Sequence, residues 1–206
     1  MKKVFLSSLI LIVLAAQAQK APIFIKGDFG LSNIKSSGGK TTLNFGFGIG
    51  AETFIAFANN LSVNPALSLR KTGYETGGDK VNVNYITLDL PLMFNSDGTF
   101  GGKKAEDFGL IFGAGPFVGY AVSGDFTISD VKKSMSFGNG TADNRKSVDA
   151  GVVLKSALKL NRVFIGSQYN IGFTNLIPKD RITNGSSIRS RNFFIYVSVP
   201  LSGWKK

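Results

Sequence analysis

Several stretches of this chain alternate a large apolar residue with Gly, Asn or a single charge; the clearest is Leu43-Asn44-Phe45-Gly46-Phe47-Gly48-Ile49-Gly50. A period of two places neighbouring side chains on opposite faces of an extended strand. Leu43, Phe45, Phe47 and Ile49 then share one face, and Asn44, Gly46, Gly48 and Gly50 the other. The second face is too small and too weakly charged to be the exterior of a soluble protein. It suits the crowded inside of a narrow barrel whose apolar face meets lipid.

The alternation recurs and delimits eight strands, near 23–32, 42–54, 61–72, 81–94, 108–120, 147–160, 163–176 and 192–201. Asn59-Asn60 and Asn161-Arg162 are tight turns by residue type. The connections 33–40, 73–80, 123–146 and 177–191 are longer and polar, and 95–107 is a Gly-, Lys- and Asp-rich loop. Short turns alternating with longer loops are the rhythm of an up-and-down barrel. Each strand has about the 9–11 residues that cross a bilayer at a tilt. The expected fold is all-β: an eight-stranded antiparallel up-and-down transmembrane β-barrel, with short turns on the periplasmic side and longer loops outside.

Parity assigns the two faces. Lys26, Asp28, Glu52, Arg70, Asp89, Asp149, Lys155 and Gln168 fall on polar faces and are expected to form a network in the lumen. Leu43, Phe45, Phe47, Ile49, Leu110, Phe112, Ile165, Ile171, Ile195 and Val197 are expected to face lipid. Asn82 and Asn84 fall on the apolar face and are expected above the lipid. An eight-stranded bore is just wide enough to be filled by side chains, and an unpaired buried charge is costly. The charges therefore read as a structural plug rather than a channel. A soluble lipocalin-like barrel would also alternate, but with its charged face in water, and a soluble exterior is about a quarter to a third charged. Aromatic girdles are expected from Tyr74, Tyr85, Tyr120 and Phe173 at the outer ends of strands and from Phe94, Phe100, Phe108, Phe164 and Trp204 at the periplasmic ends. Prolines 65, 91, 116 and 200 each remove a ladder donor and are expected at bulges or near the membrane boundary.

The first residues read as a secretory signal peptide over 1–18: basic Met1-Lys2-Lys3, an apolar run from Val4 to Ala15, then Ala16-Gln17-Ala18 as the cleavage site. The apolar run is shorter than the roughly 20 residues of a spanning helix. The barrel domain then occupies 19–206. The sequence has neither cysteine nor histidine. Disulfides, thiolate metal sites and Ser–His hydrolase chemistry are therefore excluded. The thirteen acidic residues show no paired spacing, so the chain reads as no enzyme. Glycine runs such as Gly113-Ala114-Gly115 lack the strand-to-helix setting and the Lys-Ser/Thr ending of a phosphate loop. The formal net charge is +11, with Lys103-Lys104, Lys132-Lys133, Arg145-Lys146, Arg189 and Arg191 in expected loops. Export removes nucleic acid as a partner. Outer-membrane lipid and lipopolysaccharide phosphates are the anions such a rim would meet; a merely solvated set of loop charges is the other reading.

Four stretches together resemble the PorT-like outer-membrane β-barrel family, small barrels of the OmpA/OmpX kind. They are Tyr85-Ile86-Thr87-Leu88-Asp89-Leu90-Pro91-Leu92, Gly113-Ala114-Gly115-Pro116-Phe117-Val118-Gly119-Tyr120, Asp149-Ala150-Gly151 and Tyr169-Asn170-Ile171-Gly172-Phe173-Thr174-Asn175-Leu176. The resemblance implies an eight-stranded barrel in the outer membrane of a Gram-negative cell, with no cofactor and no catalytic residues. The family's founding member is associated with protein secretion. Three roles stay open at this point: a structural or surface-interaction barrel, an accessory subunit of a secretion system that contacts secretion or surface proteins, and a soluble exported binding protein.

Overall fold

Each strand pairs with its neighbour in sequence until the last meets the first. The structure, a computed structural model, describes residues 21–37, 41–96, 108–182 and 186–202. The signal segment 1–18, Phe100, Lys103, Lys104 and Trp204 lie outside the described residues. The elements are β1 (Ile23–Ser36), β2 (Thr42–Thr53), β3 (Ile55–Ala56), β4 (Leu61–Val63), β5 (Ala66–Thr76), β6 (Asp79–Asp89), β7 (Leu92–Asn95), β8 (Phe108–Ile128), β9 (Val131–Ser134), β10 (Val148–Leu160), β11 (Val163–Gly172) and β12 (Ile188–Ser202). Among the described residues, a 3-10 turn at Lys179–Arg181 precedes β12.

Eight strands close the ring in the order β1-β2-β5-β6-β8-β10-β11-β12, and β12 returns to β1 from Ile23↔Ser202 to Ser36↔Ile188. Every pairing is antiparallel, as the sequence alternation predicts. Closure leaves no long open edge in the wall. Pro65 and Pro91 sit in short breaks, between β4 and β5 and between β6 and β7. β7 resumes the line of β6 along β8, with Leu92 opposite Ala114, and β4 pairs with β7. Missing donors thus interrupt the strand direction without opening the wall. Pro200 stands opposite Phe24, where the β1–β12 register shifts, while Pro116 lies within the continuous β8.

One end of the barrel carries the Asn161-Arg162 turn, the start of β1 and the end of β12; the other carries the β1–β2, β5–β6, β8–β10 and β11–β12 connections. At this loop end the strands run further than the sequence predicts. β1 reaches Ser36, β12 starts at Ile188, and Gly77-Gly78 with positive φ is all that separates β5 from β6. The expected loop 123–146 is mostly structured: β8 continues to Ile128 and turns back through Ser129 (φ 48°) and Asp130 (φ 64°) into β9. Two left-handed residues in succession make the turn that matches strand twist in a two-residue hairpin. β11, in contrast, stops at Gly172 rather than at 176, and Leu176 is buried in the following connection.

Glycines on the inner face clear space for long neighbours. A Cβ on Gly166 would run into the Ser156 carbonyl and approach Cζ of Tyr196 to 2.7 Å. One on Gly48 would strike the Asp28 carboxylate and Cγ of Arg70, the latter at 2.7 Å. Gly27, on the outer face, has nothing within 4 Å of that position. Gly166→Val is therefore expected to destabilise the barrel by about 1–3 kcal/mol through overpacking. Gly27→Ala should stay within about 0.5 kcal/mol of the parent. Urea unfolding midpoints of the two variants check the contrast.

Candidate functional site

The walls place small or polar residues inward and bulky apolar ones outward. Phe45 and Ile49 are 57% and 60% exposed, whereas Lys26 and Gln168 are 0% and 1% exposed. Leu43, Phe47, Leu110, Phe112, Ile165, Ile195 and Val197 are exposed on the outer wall, and Ile171 is half-exposed. The chemistry of the chain is therefore concentrated in the bore, which is filled in three layers.

At the turn end lies an aromatic and aliphatic layer of Phe24, Phe54, Met93, Ile111, Ala157, Phe164 and Tyr196. The rings of Phe24 and Phe54 meet edge-on at 5.7 Å, and those of Phe24 and Phe164 at 5.0 Å. Such offset and T-shaped contacts are the favoured aromatic geometry.

The middle layer is ionic. Arg70 Nε lies 3.2 Å from Asp28 Oδ2, and Arg70 Nη2 lies 3.1 Å from Asp89 Oδ2. Gln168 knits the set: its Oε1 accepts from Lys26 Nζ (2.7 Å) and from Arg70 Nη2 (3.2 Å), and its Nε2 donates to Asp89 Oδ2 (3.0 Å) and Asn170 Oδ1 (2.8 Å). Lys26 also lies 3.4 Å from Asp28. Lys155 pairs with Glu52 and donates to Asn64 Oδ1 at 2.6 Å. Lys26 and Lys155 stand over the Tyr196 ring at 5.0 and 4.7 Å, and Arg70 over Phe194 at 5.3 Å. Lys26, Arg70 and Lys155 thus balance Asp28, Glu52 and Asp89 in charge.

The third layer closes the loop end. Val81, Val83, Tyr85 and Ala121 form a cluster against which Tyr74, Phe126, Met135 and Phe137 pack. Arg145, from the segment after β9, is buried here beside Tyr74, its guanidinium 5.8 Å from that ring's centre. Asp149 is buried in this layer and stands apart from the ionic set below. Between the two layers, Arg70, Tyr85, Phe117, Asp149, Asn170 and Phe194 line a cavity of about 20 Å³, enough for about one water molecule. The roomier hollows, such as one of about 540 Å³ beside Phe47, Ile49, Leu69 and Val122, are open grooves on the outer wall.

Several expected positions are corrected. Tyr85 and Phe164 are not girdle residues: they are 4% and 1% exposed and point into the bore. Their parity with Asp89 and Gln168 carried that signal. Tyr74 is half-buried on the loop-end cluster rather than on the outer wall. Tyr120, Phe173, Phe94 and Phe108 are exposed. Arg145 is buried rather than a free loop cation. Asn64, Asn170, Tyr196 and Lys159 are interior residues outside the expected network; all four share the parity of inner-face neighbours. Asn82 and Asn84 do face outward near the loop end, donating to Asp125 Oδ1 (3.1 Å) and Ser123 Oγ (2.9 Å).

The β8–β9 hairpin rises past the end of β10 and is fastened by Lys132 and Asp125 at 3.3 Å. Partial burial would raise the Asp125 carboxyl, but hydrogen bonds from Asn82 and Lys132 outweigh that and hold it below the usual aspartate range. No group of three His, Cys, Asp or Glu residues among the described residues could hold a metal.

No protein-family model and no curated protein matches this chain. Solved structures do. Neisserial surface protein A superposes with a TM-score of 0.50 at 12% identity, over 86% of this chain and 96% of that one. Ail, the attachment invasion locus protein of Yersinia pestis, gives 0.45 at 14% identity, over 88% and 99%. The outer membrane enzyme PagL gives 0.47 at 9% identity, over 86% and 99%. At 12% identity the likeness to Neisserial surface protein A establishes the fold alone.

Lys155→Met strands the Glu52 carboxylate in the bore and is expected to destabilise by roughly 3–5 kcal/mol. The double variant Lys155→Met/Glu52→Gln should recover most of that loss, and a double-mutant cycle on unfolding midpoints reads the difference. The Asp125–Lys132 link is present above the ordinary aspartate pKa and is lost as pH falls through the lowered folded value. Resonances of the β8–β9 hairpin are therefore expected to hold steady at neutral pH and to move only below that ordinary range.

Proposed function

We propose that this chain is a small integral outer-membrane β-barrel, exported by the signal peptide at 1–18, with a plugged lumen and a structural or surface-interaction role. The observation that carries this reading is the inverted polarity of a closed ring: charged and polar side chains inside, bulky apolar side chains outside. Along β12, Phe193, Ile195, Val197, Val199 and Leu201 are successive exposed residues of the outer wall. They span roughly 27 Å along the strand. At a tilt of about 40° this is on the order of 20 Å of apolar height, comparable to the apolar band of outer-membrane barrels. A soluble lipocalin-like barrel needs the opposite arrangement. No histidine or cysteine is available for the usual nucleophilic or general-base chemistry, which supports a non-catalytic role. The three filled layers favour a plug over a conducting pore, because eight strands leave no continuous aqueous channel once the side chains are packed.

A second reading has its own support. The PorT-like stretches, together with the projecting β8–β9 hairpin and its exposed Ile128, Val131, Lys132 and Lys133, fit an accessory subunit that contacts secretion or surface proteins. A stoichiometric secretion component co-purifying from native membranes would favour it.

Fractionation is expected to place the protein in the outer membrane, and unboiled protein should migrate differently from boiled protein on a detergent gel. A soluble periplasmic product would overturn the proposal. Leu110→Arg, on the outer wall, is expected to cost roughly 2–4 kcal/mol of folding stability in lipid, the penalty for a cation near the bilayer midplane. In liposomes the parent should pass no large steady current.

A further inference from the structure

We propose that Lys35, Arg189 and Arg191 form a site on the outer wall of the β1–β12 seam for the phosphate of an anionic lipid headgroup. The inference rests on the membrane reading above and names a ligand class for one place on the wall.

Lys35 lies directly opposite Arg189 in the β1–β12 ladder, and Asn33 lies opposite Arg191. Arg189 and Arg191 are two residues apart and share the outer face. Side chains directly opposite across a ladder stand about 5 Å apart at Cβ, and like charges so placed repel. Among the described residues no carboxylate forms an ion pair with any of the three. Two exposed cations on the loop-end hairpins do have carboxylate partners: Lys80 pairs with Glu75 at 3.2 Å and Lys132 with Asp125 at 3.3 Å. Arg191 also feels the buried Asp149 carboxylate, but the exposed Lys35–Arg189 pair holds a repulsion that a bound anion would relieve.

The site is also partly built. Arg191 is half-buried, and its Nη1 donates to the carbonyls of Gly172 (2.9 Å) and Ser190 (2.8 Å). That fixes the guanidinium in place and leaves the Nε and Nη2 donors, which have no partner among the described residues. A planar guanidinium with adjacent free donors suits two oxygens of one phosphate. Lys35 and Arg189 are both exposed and complete the positive face.

Position selects a lipid rather than a free anion. The next outward-facing pair toward the turn end is Leu31 opposite Phe193, exposed at 44% and 43%. From there the β12 wall is apolar to Leu201. The cations thus sit one step beyond the apolar band, at the level of headgroup phosphates, with an acyl-chain surface directly beneath. Basic residues at that level attract anionic headgroups.

The test uses the full chain folded in dodecyl maltoside micelles, titrated with a fluorescent phosphatidic acid and, in parallel, phosphatidylcholine. The parent should prefer phosphatidic acid, and Lys35→Gln/Arg189→Gln should weaken that binding by roughly tenfold to thirtyfold. Lys132→Gln/Lys133→Gln, on the hairpin, should bind as the parent does. A second readout is independent of binding: in micelles free of anionic lipid, Lys35→Gln/Arg189→Gln should unfold at higher urea than the parent, and phosphatidic acid should stabilise the parent more than the variant. Equal phosphatidic acid binding by the parent and the seam variant overturns the site. So does equal weakening by the hairpin variant, which would mark diffuse surface charge. Displacement of the lipid by inorganic phosphate at millimolar concentration overturns the lipid assignment. If the chain instead stays folded and monodisperse without detergent, the membrane reading itself falls, and the site falls with it.

Discussion

A ring of eight strands encloses a bore too narrow for bulk water, so each charge that points inward needs its counter-charge on another part of the wall. Arg70 meets this demand by bridging Asp28 on one strand and Asp89 on another. Lys155 meets it by reaching across to Glu52 and Asn64. Gln168, able to donate and accept at once, ties the Lys26 and Arg70 branches together through a single amide. Neutral residues of the same volume would pack at least as well in free-energy terms. A slipped register would leave several of these charges unpaired at the same time. The inner-face glycines are the other half of this arrangement, since the long side chains fit only where their neighbours have no Cβ.

The two ends solve different problems. The turn end is largely aromatic, with Phe24, Phe54, Phe164 and Tyr196 packed across the bore. Tyr196 serves both layers, packing on the aromatic side and presenting its ring face to Lys26 and Lys155. The loop end closes differently: the segment after β9 folds back and inserts Met135, Phe137 and Arg145 over the Val81–Tyr85 cluster. With the bore occupied by side chains, the outer wall and the loop-end projections are the surfaces this barrel offers to its surroundings. These are the β8–β9 hairpin and the cationic seam between β1 and β12.

Much of this was legible beforehand. The alternation located the eight strands, and parity separated Phe45 from Gly46 and Leu110 from Gly113. It failed where a second rule was allowed to override parity. Tyr85 and Phe164 lie near strand ends, where interfacial aromatics are common, yet both share inner-face parity and fill the bore. The expected loop at 123–146 failed for another reason. Its polar composition masked a two-residue turn at Ser129-Asp130, whose left-handed backbone only the paired strands reveal. Arg145, read as one of a basic loop pair, proved to be buried because the chain reverses over the barrel mouth.

Face assignment was the sequence's own achievement, because successive side chains along an extended backbone must point to opposite sides whatever the strand pairs with. The choice of partners was not. Lys155 and Glu52 are 103 residues apart, and Lys26 and Gln168 are 142 apart. Their meeting depends on the stagger of the closed ring, a property of all eight strands together. The same stagger sets Lys35 beside Arg189. No local pattern encodes it, because register is fixed by the sum of wall packing and bore filling rather than by any single strand.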